Sequence, residues 1–216
     1  DKDNYELYYQ MPDATQTAVT GNQIDLTGEI TRRRITTNDF KVYEKGTNAL
    51  VEATKTYDGN DEYAPTNVYL STDENGATGI VRRDKGYITF AMKDGKGHFI
   101  DNDTSKTQTK NVKEATRVSY TVTGVADSTK DTDGQPLYRL SDYYVLDADG
   151  VTKNDLDVGF DATGAGRITP KQLNLALAGG ARFDKTYDGN ANVTQSLTKG
   201  TNYTLTGFVG TEGDHL

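Results

Sequence analysis

Two clusters of aspartates have the residue type and spacing that best suit a chemical role, the binding of a hard cation. The first is Asp127, Asp131 and Asp133, followed by a glycine, and the second is Asp147, Asp149 and Asp155. Ca²⁺ binds where several carboxylate and carbonyl oxygens converge on one point, and acidic loops supply such oxygens. Neither cluster has the glutamate that closes an EF-hand loop, and acidic turn residues are commonly just solvated. We therefore expect the chain to have no cofactor, and calcium is the one candidate kept as the alternative.

Catalytic side chains of other kinds are sparse. The 216 residues contain no cysteine and only two histidines, His98 and His215, which lie far apart in the sequence. A base–nucleophile pair or a histidine metal site would need an unusual geometry to form from them. The 32 acidic residues offer many carboxylate pairs of the kind that hydrolyse sugars, but their spacing singles out none. The sequence predicts that this protein is not an enzyme.

The charge and hydropathy patterns exclude two classes of partner. The net charge is −8, whereas a nucleic-acid-binding surface needs lysine and arginine to displace phosphate counterions. The longest basic cluster, residues 32–34, is typical of a charged strand edge. No run approaches the roughly 18 apolar residues that span a bilayer. We therefore expect neither nucleic-acid binding nor membrane insertion.

The elements that must position any site are short strands. In residues 117–124, Val118, Tyr120 and Val122 alternate with polar residues, which is the period of a half-buried strand. Residues 87–92 and 203–208 are similarly rich in β-branched and aromatic types. Six Asp-Gly or Asn-Gly dipeptides separate the apolar segments and favour tight turns; they begin at Asp58, Asn75, Asp94, Asp133, Asp149 and Asp188. The fold class predicted is all-β.

An internal repeat is the most informative feature of the sequence. The hexapeptide Lys-Thr-Tyr-Asp-Gly-Asn occurs at residues 55–60 and again, unchanged, at residues 185–190. Upstream of each copy lies a Gly-x-Ile-Thr segment, at residues 28–31 and 166–169, which we call the seam motif. Repeats of this order indicate tandem structural modules. The marks predict the end of one repeat at 1–28, a complete repeat at 29–166 and the start of the next at 167–216.

The order of these marks resembles the YDG repeat. Such repeats occur in tandem in large secreted bacterial adhesins and haemagglutinin-like proteins. The resemblance lies in the seam Ile168-Thr169-Pro170, the apolar run 173–177 and the hexapeptide 185–190. Residues 98–101, 110–112 and 118–124 also resemble the aromatic-Asp, Lys-Asn-Val and Val-Thr-Val-Thr-Gly stretches of the family. The chain departs from the pattern at Lys113, where the family has glycine.

The resemblance implies a modular protein of the bacterial surface, secreted by the cell, with no catalytic residues. We expect tandem β-sandwich modules of immunoglobulin-like type, with a β-grasp-like module as the alternative. The expected function is a stalk or spacer whose partners are the neighbouring repeats. The alternative is a module that binds a host glycan or surface protein through exposed tyrosines, for which the candidates are Tyr8, Tyr9, Tyr63 and Tyr69.

The hexapeptide itself is open to two interpretations. In the structural one, Gly59 and Gly189 take the positive φ of a tight turn, while Asp58 and Asp188 accept hydrogen bonds from its amides. Tyr57 and Tyr187 then bury their rings and keep their hydroxyls wet or hydrogen-bonded. In the functional interpretation, the tyrosine contacts a sugar ring and the aspartate binds its hydroxyls. An unchanged motif in successive modules favours the structural interpretation.

Overall fold

Apolar–polar alternation produces short strands that are joined by tight turns, and helix is confined to short 3-10 segments in the residues described. The computed structural model describes residues 8–10, 16–18, 29–146, 149–180, 184–192 and 196–215. The predicted all-β class is confirmed. All six glycines of the predicted turn dipeptides have positive φ, as their turns require. No helix in the described ranges is long and apolar enough to cross a membrane.

The strands are numbered in chain order. They are β1 (Tyr8–Gln10), β2 (Gln16–Ala18), β3 (Arg33–Ile35), β4 (Lys41–Glu44), β5 (Leu50–Val51), β6 (Thr54–Thr56), β7 (Glu62–Tyr63), β8 (Val68–Ser71), β9 (Ile88–Met92), β10 (Gly97–Ile100), β11 (Arg117–Ala126), β12 (Tyr143–Leu146), β13 (Lys153–Asn154), β14 (Phe160–Ala165), β15 (Arg167–Thr169), β16 (Asn174–Leu177) and β17 (Tyr203–Thr206).

The chain forms two compact units, residues 1–31 and 32–216. In the first unit, β1 pairs antiparallel with β2. In the second unit, the predicted boundary at 166/167 falls between β14 and β15. Strand β15 pairs in parallel with β6, so the ladder joins residues on both sides of that boundary.

The largest sheet is built around β11. Val118 of β11 has a partner on each side, Phe99 of β10 and Gly164 of β14. Val122 likewise lies between β9 and β14, so β9 and β10 share one edge of β11 and β14 occupies the other. Beyond β9 come β8, β4 and β5 in that order. The predicted alternation along β11 is confirmed, because Val118, Tyr120 and Val122 are all buried.

The outer edge of β14 is joined to the chain that leads into β4. The N–H of Phe40 donates to the carbonyl of Thr163 at 2.9 Å, and the N–H of Thr163 donates to Thr37 at 2.7 Å. The hydrogen-bonded path therefore runs through β4, β8, β9, β11 and β14 and returns to Phe40. A sheet that closes on itself in this way leaves fewer unpaired edges than a flat one.

Aromatic rings fill the interior of this rolled sheet. Phe40, Phe90 and Phe160 contact one another edge-to-face, with ring centroids 5.0–6.1 Å apart. Tyr63 packs edge-on against Phe99 and Tyr120 in the same core. Aromatic pairs of this geometry add about 1 kcal/mol each to the stabilisation that comes from area burial.

A smaller three-stranded sheet, in the order β13–β12–β3, is anchored to the rest through a buried tyrosine. The Tyr143 hydroxyl donates to Asp84 at 2.7 Å and accepts the N–H of Val81 at 3.3 Å. Burial and the hydrogen bond to Asp84 raise the pKa of Tyr143 well above its ordinary value. The Tyr120 hydroxyl, by contrast, is buried without a hydrogen-bond partner among the described residues.

This contrast predicts that replacing tyrosine by phenylalanine destabilises the protein at one site and has little effect at the other. We expect Tyr143→Phe to lower the free energy of unfolding by about 1–3 kcal/mol, because it leaves Asp84 and Val81 without their partner. Tyr120→Phe removes a hydroxyl without a protein partner, so its effect is expected within about 0.5 kcal/mol of zero. Urea unfolding of the two variants measures both values. A larger loss for Tyr120→Phe would contradict these assignments.

Asp73 lies at the centre of an ion cluster beside β4. Its carboxylate accepts hydrogen bonds of 2.7 Å from Lys41, Lys85 and the Tyr43 hydroxyl. Partial burial opposes ionisation of Asp73, but the hydrogen bonds from the two lysines and Tyr43 outweigh it and hold the pKa of this carboxyl well below its ordinary range. The ionised form is therefore favoured in the folded state.

A depressed folded-state pKa stabilises the fold at pH values above the unfolded pKa, which is about 4. That stabilisation is lost as the pH falls below 4. We expect Asp73→Asn to lower stability at pH 7 by about 1 kcal/mol, since the carboxylate is 41 % exposed and partly screened. The gap between variant and wild type should narrow from pH 4 towards pH 2 in thermal unfolding. Asp133→Asn, in an exposed turn, is the control for the loss of one surface carboxylate, and an equal loss of stability there would contradict the assignment to the Asp73 cluster.

Candidate functional site: the two Tyr-Asp-Gly turns

The first hexapeptide turn is held by a lysine that reaches across it. Lys55 Nζ lies 2.7 Å from Asp58 Oδ1 and 2.6 Å from Asn60 Oδ1. Asp58 also accepts the N–H of Asn60 at 3.2 Å, and Asn60 accepts the N–H of Glu62 at 2.9 Å. Lysine, aspartate and asparagine at positions 1, 4 and 6 thus form one network, which we call the Lys-Asp-Asn clamp.

The second hexapeptide forms the same clamp. Lys185 Nζ lies 2.6 Å from Asp188 Oδ1 and 2.8 Å from Asn190 Oδ1. The N–H of Asn190 donates to Asp188 at 3.1 Å, and that of Asn192 donates to Asn190 at 2.9 Å. The two copies therefore share a hydrogen-bond pattern as well as a sequence, and all of its partners come from eight consecutive residues.

The clamp favours the ionised aspartate in both copies. Partial burial raises the pKa of Asp58, but the hydrogen bonds from Lys55 and from the N–H of Asn60 outweigh it and lower the pKa. The hydrogen bond from Lys185 is the main cause of the lowered pKa of Asp188. An ionised aspartate beside a lysine is suited to holding a turn.

The glycines complete the turn. Gly59 and Gly189 have φ of +87° and +85°, a region that L side chains rarely adopt. These geometries match the structural interpretation of the hexapeptide, since lysine, aspartate, asparagine and glycine are each used within the turn itself.

The two copies differ in what covers them. Tyr57 is partly buried against the core, and its hydroxyl bonds to Glu212, while Val209 packs over Gly59. Tyr187 is 89 % exposed, and an added side-chain carbon at Gly189 would have nothing within 4 Å. The expected burial of the tyrosine ring is therefore found in the first copy and is wrong for the second.

The sequence did not reveal the residues that cover the first turn. Val209 and Glu212 lie about 150 positions downstream and carry no motif that marks them. They belong with Leu173 and Phe208 to the walls of a 620 Å³ groove beside Tyr57. The sequence signal that could have located this cover is the seam motif at residues 166–169, because the β6–β15 ladder places it next to Tyr57.

The tyrosines proposed as exposed ligand contacts are placed differently from the prediction. Tyr63 and Tyr69 are only 5 % and 7 % exposed, so their predicted exposure is wrong. Tyr63 packs in the core against Phe99, and Tyr69 stacks on Tyr43 at 5.5 Å. They are buried because their strands, β7 and β8, turn these rings away from solvent. The side chains of Tyr8 and Tyr9 lie outside the described part of the chain.

Four of the described aspartates of the two acidic clusters have hydrogen-bond or ion-pair partners within the protein. Asp127 accepts the N–H and hydroxyl of Thr129, and Asp131 accepts the N–H groups of residues 133 and 135. Asp149 caps the N–H groups of residues 151 and 152. Asp155 pairs with Arg32 at 2.6 Å.

No group of three or more metal-ligating side chains converges within the described ranges. Asp133 lies on the same turn as Asp131, where its N–H is a donor. Asp147 lies outside the described residues. Calcium binding stays a prediction.

The sequence analysis did not identify one histidine–aspartate pair, because its two residues lie in different segments of the chain. His98 Nδ1 lies 2.9 Å from Asp61 Oδ2, with the histidine side chain 31 % exposed. The Ser119 hydroxyl donates to the backbone carbonyl of His98 rather than to its imidazole ring. The three residues therefore lack the geometry of a serine–histidine–aspartate triad.

Comparison with protein-family models, with curated proteins and with solved structures gave no match for this chain.

The two turn glycines provide a matched stability test. Gly59→Ala and Gly189→Ala both force an L residue into positive φ, which costs about 1–2 kcal/mol. At Gly59 the new carbon would also lie 2.8 Å from the Val209 side chain, whereas the second site is open. We expect Gly59→Ala to lower the melting temperature more than Gly189→Ala. Equal shifts in calorimetry would contradict the packing of residue 209 on the first turn.

Proposed function

We propose that this chain is part of the repeat array of a secreted bacterial surface adhesin and acts as a stalk or spacer between modules. The observation that carries the proposal is the recurrence of one turn, with one clamp, in two successive segments of the chain. A catalytic site would need one set of groups placed once, whereas a spacer needs the same structural unit again and again. The YDG-like order of the marks supports the adhesin context.

The placement of the tyrosines favours a stalk over a glycan-binding surface. Five tyrosines are buried within the protein rather than gathered on an exposed platform; they are Tyr43, Tyr63, Tyr69, Tyr120 and Tyr143. Each contributes apolar area to the interior. Tyrosines used in this way stabilise the fold and are not accessible to a ligand. An immunoglobulin-like sandwich, with the β-grasp module as its alternative, stays the prediction for its finer class.

One surface feature favours a binding module as the second candidate function. Tyr87 and Tyr138 stack face to face with centroids 4.3 Å apart, and Tyr87 is 46 % exposed. Sugar rings stack on exposed aromatic faces. An aspartate lies next to this pair, since the N–H of Asp127 donates to the carbonyl of Tyr87 at 2.7 Å. A host glycan is the ligand class for this candidate.

Two measurements test the proposal: the first tests the surface location, and the second separates the stalk from the binding module. Protease added to intact cells of the source bacterium should remove the chain, as followed with an antibody, because a surface adhesin lies outside the cell envelope. Surface plasmon resonance over a panel of host glycans and matrix proteins should give no saturable binding for a stalk.

Saturable glycan binding that Tyr87→Ala abolishes, and that Tyr203→Ala leaves unchanged, would replace the stalk with the binding module. Protection from protease in intact cells, together with digestion after lysis, would overturn the surface location.

A further inference from the structure

The first hexapeptide is completed by a strand from the following repeat. In the β6–β15 ladder, Ile168 lies opposite Lys55 and Thr169 opposite Thr56. The N–H of Tyr57 donates to the Thr169 carbonyl at 2.9 Å. The Thr169 hydroxyl lies 3.2 Å from the Lys55 carbonyl, to which it donates. The second seam motif is thus the strand that pairs with the first hexapeptide.

Burial shows why the seam motif has its residue types. Ile168 is only 2 % exposed in this ladder and supplies its apolar contact. A side-chain carbon at Gly166 would lie 2.4 Å from the Val118 side chain and 3.1 Å from the Ala53 carbonyl. Glycine permits the close approach, and isoleucine fills the interior. The first seam motif has the same residues, but its Ile30 is fully exposed.

Among the residues that the structure describes, the second hexapeptide has the same clamp but no such strand. Residues 184–188 belong to no strand of the described chain, and Tyr187 is almost fully exposed. We call residues 185–187 the open edge. It presents the residues that bind β15 in the first copy, since Lys185, Thr186 and Tyr187 correspond to Lys55, Thr56 and Tyr57.

A second difference between the copies supports the same conclusion. In each copy the hexapeptide lies between two antiparallel strands, β4 and β8 in the first and β16 and β17 in the second. The first pair buries Val42 and Leu70 at 2 % and 0 % exposure. In the second pair, Leu175 and Leu177 are 59 % and 54 % exposed. Within the described part of the chain, nothing therefore covers the leucines of the second pair as Val42 and Leu70 are covered in the first.

We propose that the open edge binds the Gly-x-Ile-Thr seam strand of a further copy of this repeat, in the parallel register of β15 on β6. This inference rests on the proposed tandem array and names the partner of its second turn. The incoming isoleucine lies opposite Lys185 and the incoming threonine opposite Thr186. The Tyr187 N–H donates to the carbonyl of the incoming threonine. Successive repeats are thereby joined by a shared ladder rather than by a linker alone.

The absence of cysteine from the chain allows a disulfide test of this register. The full chain with Thr186→Cys is incubated with a synthetic peptide of residues 164–172 that carries Thr169→Cys, in a glutathione redox buffer. Pairing in register brings the two sulfurs together and raises their effective concentration. Intact mass should show labelling of Thr186→Cys at a peptide concentration roughly tenfold lower than that for Ser128→Cys, an exposed loop control.

Two matched controls test the specificity of this labelling. In the full chain with Thr56→Cys, β15 already occupies the ladder, so labelling should equal that of Ser128→Cys. A peptide with the added change Ile168→Asp should label Thr186→Cys no better than the loop control, because a charge replaces the buried isoleucine. Labelling of Thr186→Cys at the loop level, or equal labelling by the two peptides, would overturn the proposal.

Hydrogen exchange on the unmodified chain provides an independent measurement. Excess peptide of residues 164–172 should slow exchange of the Tyr187 amide and leave that of Tyr57 unchanged, because the Tyr57 N–H is already bonded to Thr169. Unaltered exchange at Tyr187 under saturating peptide would also overturn the joint. Surface exposure of the chain in cells does not depend on this joint, so the protease result distinguishes its failure from failure of the stalk.

Discussion

Backbone pairing on both edges of β11 is the constraint on which the rest of the fold depends. Strands β9 and β10 occupy one edge of β11, and β14 occupies the other. Since side chains alternate between the two faces of a strand, Val118, Tyr120 and Val122 all lie on one face, which is buried. The return of β14 to the chain before β4 then closes the path of hydrogen bonds. A chain with a low mean hydropathy obtains its core in this way, by rolling one sheet around a few aromatic rings.

The same requirement, that strand edges be paired, applies to β6 and β15. Strand β15 covers the edge of β6, and its Ile168 is buried in that ladder. An edge left open exposes backbone donors and acceptors and recruits another strand. In the tandem array proposed above, that tendency would join successive repeats, because the next copy of the seam motif follows on the same chain.

The Lys-Asp-Asn clamp is a local structure, since its contacts do not depend on distant segments of the chain. Its ion pair and hydrogen bonds form in both copies, even though one tyrosine is covered and the other is exposed. The turn is therefore held by its own side chains, whether or not a strand covers it. A preformed turn presents a fixed edge, which lowers the entropy cost of adding a strand.

The sequence by itself determined the all-β class, the six turns, the alternation along β11 and the repetition of the hexapeptide. These follow from residues within a few positions of one another, where glycine φ, strand period and side-chain reach decide the outcome. Only the tertiary structure decided that Tyr63 and Tyr69 are buried, that His98 meets Asp61 and that Ile168 pairs with Lys55. Those contacts join segments up to 113 positions apart, and alternation alone does not name the partner strand that will cover a given face.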